Sequence, residues 1–179
     1  MTTCLITGTN RGIGLCLAKE ALSRGWKVLG TARAPVTEPD AHICEDANFT
    51  DLVMDVTDHE AVKAVAASID GRIDVLINNA GIIGPANDQQ TTLNMDFDGF
   101  AETLAVNTLA PLAVSQAFLP NLRKSSNARI LTISSQMSSM GYAKSDRIAY
   151  RASKVAVNKV MQGLATDLKP QNISVGLLN

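Results

Sequence analysis

The run of residues 7–14, Thr-Gly-Thr-Asn-Arg-Gly-Ile-Gly, constrains the fold of this chain more than any other feature. It follows a short apolar segment, residues 4–6, typical of a buried parallel strand, and it precedes apolar residues at helical spacing that continue to Gly25. A strand, a glycine turn and a helix in this order bring unpaired backbone N–H groups and the positive end of the helix to one point, which favours phosphate. Glycines there also remove Cβ atoms that would keep a phosphate away from the backbone. An ordinary strand-to-helix turn is the alternative that this run alone leaves open.

Strand-like and helix-like segments alternate along the rest of the chain. Helices are expected over residues 97–122, with Pro111 as a kink or break, and over residues 148–168, while Thr57 and Glu60 form a candidate capping box for another helix. Short apolar runs predict further strands at residues 27–32, 52–54, 73–77, 130–133 and 173–175. This alternation predicts an α/β fold, a doubly wound parallel sheet with helices on both faces, in three α/β/α layers as in a Rossmann fold, and a single domain over residues 1–179.

Composition excludes several classes of protein. A hydrophobic content of 46%, a charged content of 18% and a net charge of −1 are typical of a globular chain, and they give no field that would recruit nucleic acid or an acidic membrane. No apolar stretch reaches the length of a membrane span and the first residues do not resemble a signal peptide, so a cytoplasmic location is expected. The spacing of Cys4, Cys16 and Cys44 predicts no metal site, and Cys4 and Cys16 are expected to be reduced core residues.

Two residues in the last predicted helix form a candidate acid–base pair. Tyr150 and Lys154 are four residues apart, so on a helix their side chains share a face. A free phenol has a pKa of about 10, too high for easy proton exchange at neutral pH, and a nearby ammonium group favours the phenolate. Tyr150 is therefore a candidate general acid or base. Taken alone, a Tyr-x-x-x-Lys pair is more often a half-buried tyrosine beside a solvated lysine.

Four motifs in one order give these residues a family context. The glycine turn is followed by Asn78-Asn79-Ala80-Gly81, by Ser134-Ser135 at a predicted strand end, and by Tyr150-Arg151-Ala152-Ser153-Lys154. The sequence resembles the short-chain dehydrogenase/reductase family over its whole length, in the single-domain subgroup, and residues 150–179 are most similar to C-factor and sniffer-like carbonyl reductases. Because family members normally continue past this point with a further strand, the last strand of the sheet is expected to be missing.

The resemblance implies a role for each catalytic candidate. Tyr150 would be the general acid for carbonyl reduction, and Lys154 would lower the energy of its phenolate. Ser135, the second serine of its pair, would donate a hydrogen bond to the substrate carbonyl. Asn107 would hold a water molecule that joins Lys154 to bulk solvent; a satisfied buried amide is the alternative.

The expected cofactor is NADP(H), with NAD(H) as the alternative. No carboxylate follows the second predicted strand, where an NAD site usually has one, whereas Arg11 and Arg33 can converge on a 2′-phosphate. The family places Asp55 and Val56 at the adenine and Asn79, Ala80 and Gly81 at the adenosine ribose, and we expect Asn78 to support the turn by bonding to the backbone. The remaining cofactor contacts are expected from Gly8, Asn10, Arg11, Gly12, Ile13, Gly14, Tyr150 and Lys154.

These residues predict an NADP(H)-dependent oxidoreductase that moves a hydride between nicotinamide and a small carbonyl or alcohol substrate. The alternative is a dinucleotide-binding signalling or sensor protein with little or no turnover, which the likeness to C-factor proteins and the missing strand both favour. A phosphate-binding NTPase is excluded, because the turn lacks the Gly-Lys-Ser/Thr ending. The family pattern is compatible with a homodimer, and no nucleic acid or membrane partner is expected.

Overall fold

The computed structural model describes residues 1–34 and 41–179, and its centre is one sheet of parallel strands. The strand order is β3-β2-β1-β4-β5-β6, and each pair of neighbours is parallel. The strands are β1 (Thr3–Thr7), β2 (Lys27–Ala32), β3 (Phe49–Val53), β4 (Val75–Asn78), β5 (Arg129–Ile133) and β6 (Ser174–Leu178). The chain reverses its direction of travel across the sheet between β1 and β4, and a crevice at their carboxyl ends is where such sheets bind ligands.

Alternate residues of the central strands enter two separate cores. Cys4 and Ile6 of β1 pack on one side with α1, whereas Leu5, between them, packs on the other side with α2, α4 and α6. The same alternation separates Val75 from Leu76 in β4. Since side chains point to opposite faces with a period of two, strands this apolar must be covered on both faces. The predicted doubly wound parallel sheet with helices on both faces is confirmed.

The helices are α1 (Gly12–Ser23), α2 (His59–Ala67), α3 (Phe97–Leu104), α4 (Ala110–Ala117), α5 (Leu119–Leu122) and α6 (Ile148–Leu168). The last has the predicted bounds. The predicted helix over residues 97–122 is in fact interrupted by a π-helical segment, Ala105–Leu109, and again at Phe118. Short 3-10 turns lie at Ala41–Glu45, Asn87–Gln89, Gln136–Ser138 and Lys169–Gln171.

Two local predictions are wrong. Thr57 does not cap α2: the carboxylate of Asp58 accepts hydrogen bonds from the N–H groups of Glu60 and Ala61, while Thr57 is bonded to Asp55. Aspartate is as good an N-cap as threonine, and the helix begins one residue later than the pattern indicated. Cys4 lies in the core as expected, but Cys16 is exposed because it falls on the outer face of α1. Within residues 1–34 and 41–179, none of the helices is long and apolar enough to cross a membrane.

Candidate active site

The glycine turn after β1 has the backbone shape that its sequence predicts. Gly8 and Gly12 adopt positive φ angles of 76° and 59°, which side chains with a Cβ rarely tolerate. The N–H groups of Gly8 and Thr9 both donate to the carbonyl of Thr31 at the end of β2, over 2.6 and 3.2 Å. The turn is thereby fixed to the neighbouring strand, and it delivers the chain directly into α1.

Asn79, not Asn78, supports this turn. Asn79 Nδ2 donates to the carbonyls of Thr7 (2.9 Å) and Gly8 (3.2 Å). The side chain of Asn78 instead lies buried beneath the sheet end, where its Nδ2 donates to Ser115 Oγ (3.1 Å) and Thr132 Oγ1 (3.4 Å). The expectation for Asn78 is therefore wrong: it is the last residue of β4, and strand alternation turns its side chain to the face away from the turn.

The start of α1 fits an anionic ligand. The helices α2 and α3 begin with aspartate caps, Asp58 and Asp96, whereas Arg11 precedes α1 and makes no side-chain cap. A Cβ built on Gly12 would meet no atom within 4 Å, so this side of the turn is open. Uncapped N–H groups at the positive end of a 12-residue helix suit a pyrophosphate, and the residues present fit a dinucleotide. Ile13 is 62% exposed beside them, and Asn10 is half-buried.

The ends of β2 and β3 supply the candidates for the adenosine half. Arg33 directly follows β2 and is exposed, as is Arg11 after the neighbouring strand. Hydrogen bonds from the hydroxyl and N–H of Thr57 hold the pKa of Asp55 below its ordinary value, and the charge of Arg33 acts in the same direction. The side chain of Val56 packs in the core, so it offers a ligand little surface.

Tyr150 and Lys154 meet where the strands β4 and β5 end. Lys154 Nζ lies 5.7 Å from the centre of the Tyr150 ring and donates to the carbonyl of Ile133, the last residue of β5, over 2.7 Å. A Cβ built on Gly81 would lie 3.1 Å from Asn107 Oδ1 and 3.8 Å from the same Nζ, so the loop after β4 runs close to both side chains. Burial lowers the pKa of Lys154 to about 8, since the ammonium group has lost most of its water.

Asn107 lies in the π-helical segment, and its side-chain amide is fully engaged. Nδ2 donates to the carbonyl of Ile82 (2.8 Å) and to Ser153 Oγ (3.0 Å), while Oδ1 accepts from the N–H of Ile82 (2.9 Å). These bonds join the loop after β4 to α6. Pro111, four residues on, has no N–H to donate to the carbonyl of Asn107, which explains why regular helix geometry fails at this point.

Ser135 follows β5 and is half-buried. Its Oγ accepts from the N–H of Met137 (3.1 Å), which leaves the hydroxyl hydrogen available to a ligand. The loop that carries it is fixed by Asn158, whose Oδ1 accepts from Ser134 Oγ (2.6 Å) and whose Nδ2 donates to Ser138 Oγ (2.9 Å). Sequence reasoning missed Asn158, although its position four residues after Lys154, on the same helix face, was a usable signal.

The candidate residues therefore gather along one edge of the sheet, the carboxyl ends of its strands. The glycine turn, Arg33 and Asp55 occupy the half formed by β1, β2 and β3, and the catalytic candidates occupy the half formed by β4 and β5. Within residues 1–34 and 41–179, no cluster of His, Cys, Asp and Glu side chains could hold a metal ion.

Comparisons with known proteins give this arrangement a family. The family model described as short chain dehydrogenase matches residues 2–179. The 3-oxoacyl-(acyl-carrier-protein) reductase FabG of Salmonella typhimurium is 29% identical over 177 residues, which cover 97% of this chain and 70% of that protein. The human 17-beta-hydroxysteroid dehydrogenase type 1 is 32% identical over 189 residues, covering 99% of this chain and 55% of that protein.

Solved structures of oxidoreductases resemble this chain over its whole length. An NADPH-bound carbonyl reductase from chicken fatty liver superposes with a TM-score of 0.87 at 32% identity, covering 100% of this chain and 79% of that one. A carbonyl reductase from Pseudomonas aeruginosa in complex with NADP gives a TM-score of 0.88 at 31% identity, covering 100% and 82%. A parallel sheet with this strand order, a glycine turn after β1 and a match over residues 2–179 lead to one conclusion: the chain belongs to the short-chain dehydrogenase family of oxidoreductases.

Proposed function

We propose that this chain is an NADP(H)-dependent oxidoreductase of the carbonyl reductase type, with Tyr150 as the general acid in reduction and the general base in oxidation. The observation that carries the proposal is the position of the Lys154 ammonium group, 5.7 Å from the Tyr150 ring and bonded to the end of β5. A cation there favours the phenolate that proton donation leaves behind.

The bound cofactor would supply the hydride and accept it in the reverse direction. The N–H groups of Gly12, Ile13 and Gly14 would hold the pyrophosphate at the uncapped start of α1. The other contacts of the dinucleotide would come from Gly8, Asn10, Arg11, Arg33, Asp55, Val56, Asn79, Ala80, Gly81, Tyr150 and Lys154.

The preference for NADP(H) over NAD(H) is proposed from charge. Arg11 and Arg33 follow two adjacent parallel strands, so both guanidinium groups belong to the same edge of the sheet. Paired guanidinium groups suit a dianionic 2′-phosphate. The NADPH and NADP in the chicken and Pseudomonas structures support the same choice.

The chain's own residues would then divide the chemistry at the substrate. The Tyr150 hydroxyl would donate a proton to the carbonyl oxygen, and the Ser135 hydroxyl would donate a hydrogen bond to that oxygen as negative charge develops on it. With a pKa of about 8, Lys154 is mostly protonated at neutral pH and supplies the positive charge that the phenolate needs. The carbonyl of Asn107, which Pro111 cannot pair, is suited to hold the water that carries the proton onward.

The direct test is a NADPH oxidation assay over a panel of aldehydes and ketones, run on the native sequence and on Tyr150→Phe. We expect turnover by the native sequence and a loss of at least about 1000-fold in kcat for the variant, since the proton donor is gone. Binding of NADPH, followed by fluorescence, should survive in both proteins. Retention of most activity by Tyr150→Phe would refute the role of this residue, and tight binding without turnover by the native sequence would favour a sensor instead.

A further inference from the structure

The helix that carries Tyr150 begins without a cap of its own. The residue before α6 is Arg147, which has left-handed backbone angles (φ 51°, ψ 43°) and makes no side-chain cap bond. The first N–H groups of a helix have no intrahelical partner and need one from elsewhere. In α6 the first intrahelical bond at this end runs from the N–H of Arg151 to the carbonyl of Arg147.

Gln90, 60 residues away in sequence from Tyr150, supplies the missing partners. Its backbone carbonyl accepts from the N–H of Ile148 (2.9 Å), and its Oε1 accepts from the N–H of Tyr150 (3.4 Å). The side chain is 0% exposed. A glutamine is seldom buried this completely unless its amide is hydrogen-bonded, so the bonds explain the residue as well as the helix start.

The other end of the same amide is attached to the loop after β4. Gln90 Nε2 donates to the carbonyl of Pro85 (2.5 Å) and approaches that of Ile83 (3.4 Å). This loop follows Gly81 directly, and a Cβ built on Gly81 would lie 3.8 Å from Lys154 Nζ. Gln90 therefore joins the segment next to the catalytic lysine to the first turn of α6.

The backbone of Tyr150 is consequently held on both sides. Its N–H is bonded to Gln90, and its carbonyl accepts from Ser153 Oγ (2.7 Å), which in turn accepts from Asn107 Nδ2 (3.0 Å). Two buried amides thus fix one residue, and only Asn107 was identified from the sequence.

We infer that Gln90 is a positioning residue for Tyr150: its buried amide fixes the first turn of α6 against the loop after β4 and so holds the phenol at the reacting oxygen. The inference rests on the proposed role of Tyr150. Displacement of a proton donor by about 1 Å can cost about 100-fold in rate, even when the residue that moves it touches no substrate.

The test compares Gln90→Met with Gln89→Met. Methionine keeps the length of the glutamine side chain but removes every hydrogen bond of its amide. The neighbouring Gln89 is exposed, so its variant controls for the chemical change. Turnover is measured per NADPH-binding site, which corrects for unfolded protein. We expect kcat to fall about 10- to 100-fold in Gln90→Met with the NADPH Kd within twofold of the native value, and Gln89→Met to match the native sequence. A kcat within twofold of native, or a parallel loss of NADPH affinity, would overturn the inference.

Amide hydrogen exchange gives a second readout that needs no folded variant. In the native sequence, the Tyr150 N–H should be protected because Gln90 Oε1 accepts from it; exchange at the rate of an unbonded amide would contradict the inference. Tyr150→Phe, assayed in parallel, separates the two proposals. If it keeps its activity, the proposed function fails, whereas if it is inactive and Gln90→Met is fully active, only the role of Gln90 fails.

Discussion

The two halves of the site are built by different means. The glycine turn acts through its backbone: positive φ angles, absent Cβ atoms and an uncapped helix start create its shape within residues 7–14. The start of α6 acts through side chains, and their partners are distant in sequence. Ile133, Asn107 and Gln90 are bonded to this helix across 21, 46 and 60 residues respectively.

This difference predicts how each half responds to substitution. At Gly14 the turn has no room for an added atom, so a substitution there acts sterically. A set of buried polar side chains has been withdrawn from water, so changes in α6 act through charge and hydrogen bonding. Single substitutions in each half separate these two kinds of response.

The largest expected effect is steric. In Gly14→Ala the added Cβ would lie 2.0 Å from the Gly8 carbonyl oxygen and 2.5 Å from Asn79 Nδ2, so the backbone of the turn must open. We expect a loss of about 3 kcal/mol in the free energy of unfolding, the upper end of the usual cost of overpacking, and no measurable NADPH binding. Urea denaturation and fluorescence titration measure these.

Gly163→Ala is the matched control, because a Cβ there meets no atom within 4 Å and the residue lies inside α6. It should bind NADPH normally and be slightly more stable, by about 0.5–1 kcal/mol, since alanine favours a helix. If Gly14→Ala bound NADPH as well as Gly163→Ala, the steric account of the turn would be wrong.

The next effect is electrostatic and depends on pH. Lys154 has a pKa of about 8 in the folded chain against 10.5 as its ordinary value, so between these pH values the unfolded chain binds more protons. At pH 7 the buried amine is charged, and its desolvation destabilises the folded chain. As pH rises, the amine loses its proton in the folded chain and this destabilisation disappears. Relative to Lys154→Met, the stability of the native sequence should rise by about 2–3 kcal/mol between pH 7 and pH 10.

Denaturation curves at several pH values measure this difference. Lys159→Met, at an exposed lysine of the same helix, should follow the native sequence throughout. A difference between Lys154→Met and the native sequence that does not vary with pH would show that the lysine is not desolvated.

The smallest of the three effects concerns cofactor choice. Arg33→Asp should weaken NADPH binding about 10- to 100-fold, because the charged hydrogen bonds to the 2′-phosphate are lost. NADH has no such phosphate, so its binding should stay within about threefold of the native value. Arg129→Asp makes the same change of charge at the first residue of β5, at the opposite edge of the sheet, and should alter neither. If the two variants weakened NADPH binding equally, Arg33 would not be a contact of the 2′-phosphate.

The fold was predictable because its signals are local. Each strand is apolar over a few residues, and α6 carries a long helical pattern without Gly or Pro at its start, so type and position could be predicted from neighbours alone. Two of the errors are shifts of one residue along the chain. Strand alternation turns Asn78 away from the turn and Asn79 toward it, and Asp58 rather than Thr57 caps α2.

The catalytic candidates were found through a motif, but the residues that hold them were not. Asn158 is one polar residue in a helix, and Gln90 lies in an irregular segment with no periodicity. The spacing of Asn158 from Lys154 was a local signal for its helix face, but the roles of both residues follow from hydrogen bonds across 20 to 60 residues. The π-helical segment at Asn107 had a signal in Pro111, which indicated a break but not its form.

We propose that the two halves of the site hold one dinucleotide between them. An NMR titration of the 15N-labelled chain with NADP+ and, separately, with adenosine 2′,5′-bisphosphate tests it directly. We expect NADP+ to shift the amide signals of Gly12 and Ile13 and those of Ser135 and Tyr150 with a single Kd, and the bisphosphate to shift only the first pair. If the signals of Ser135 and Tyr150 do not respond to saturating NADP+, or respond with a different Kd, the two halves do not hold one dinucleotide.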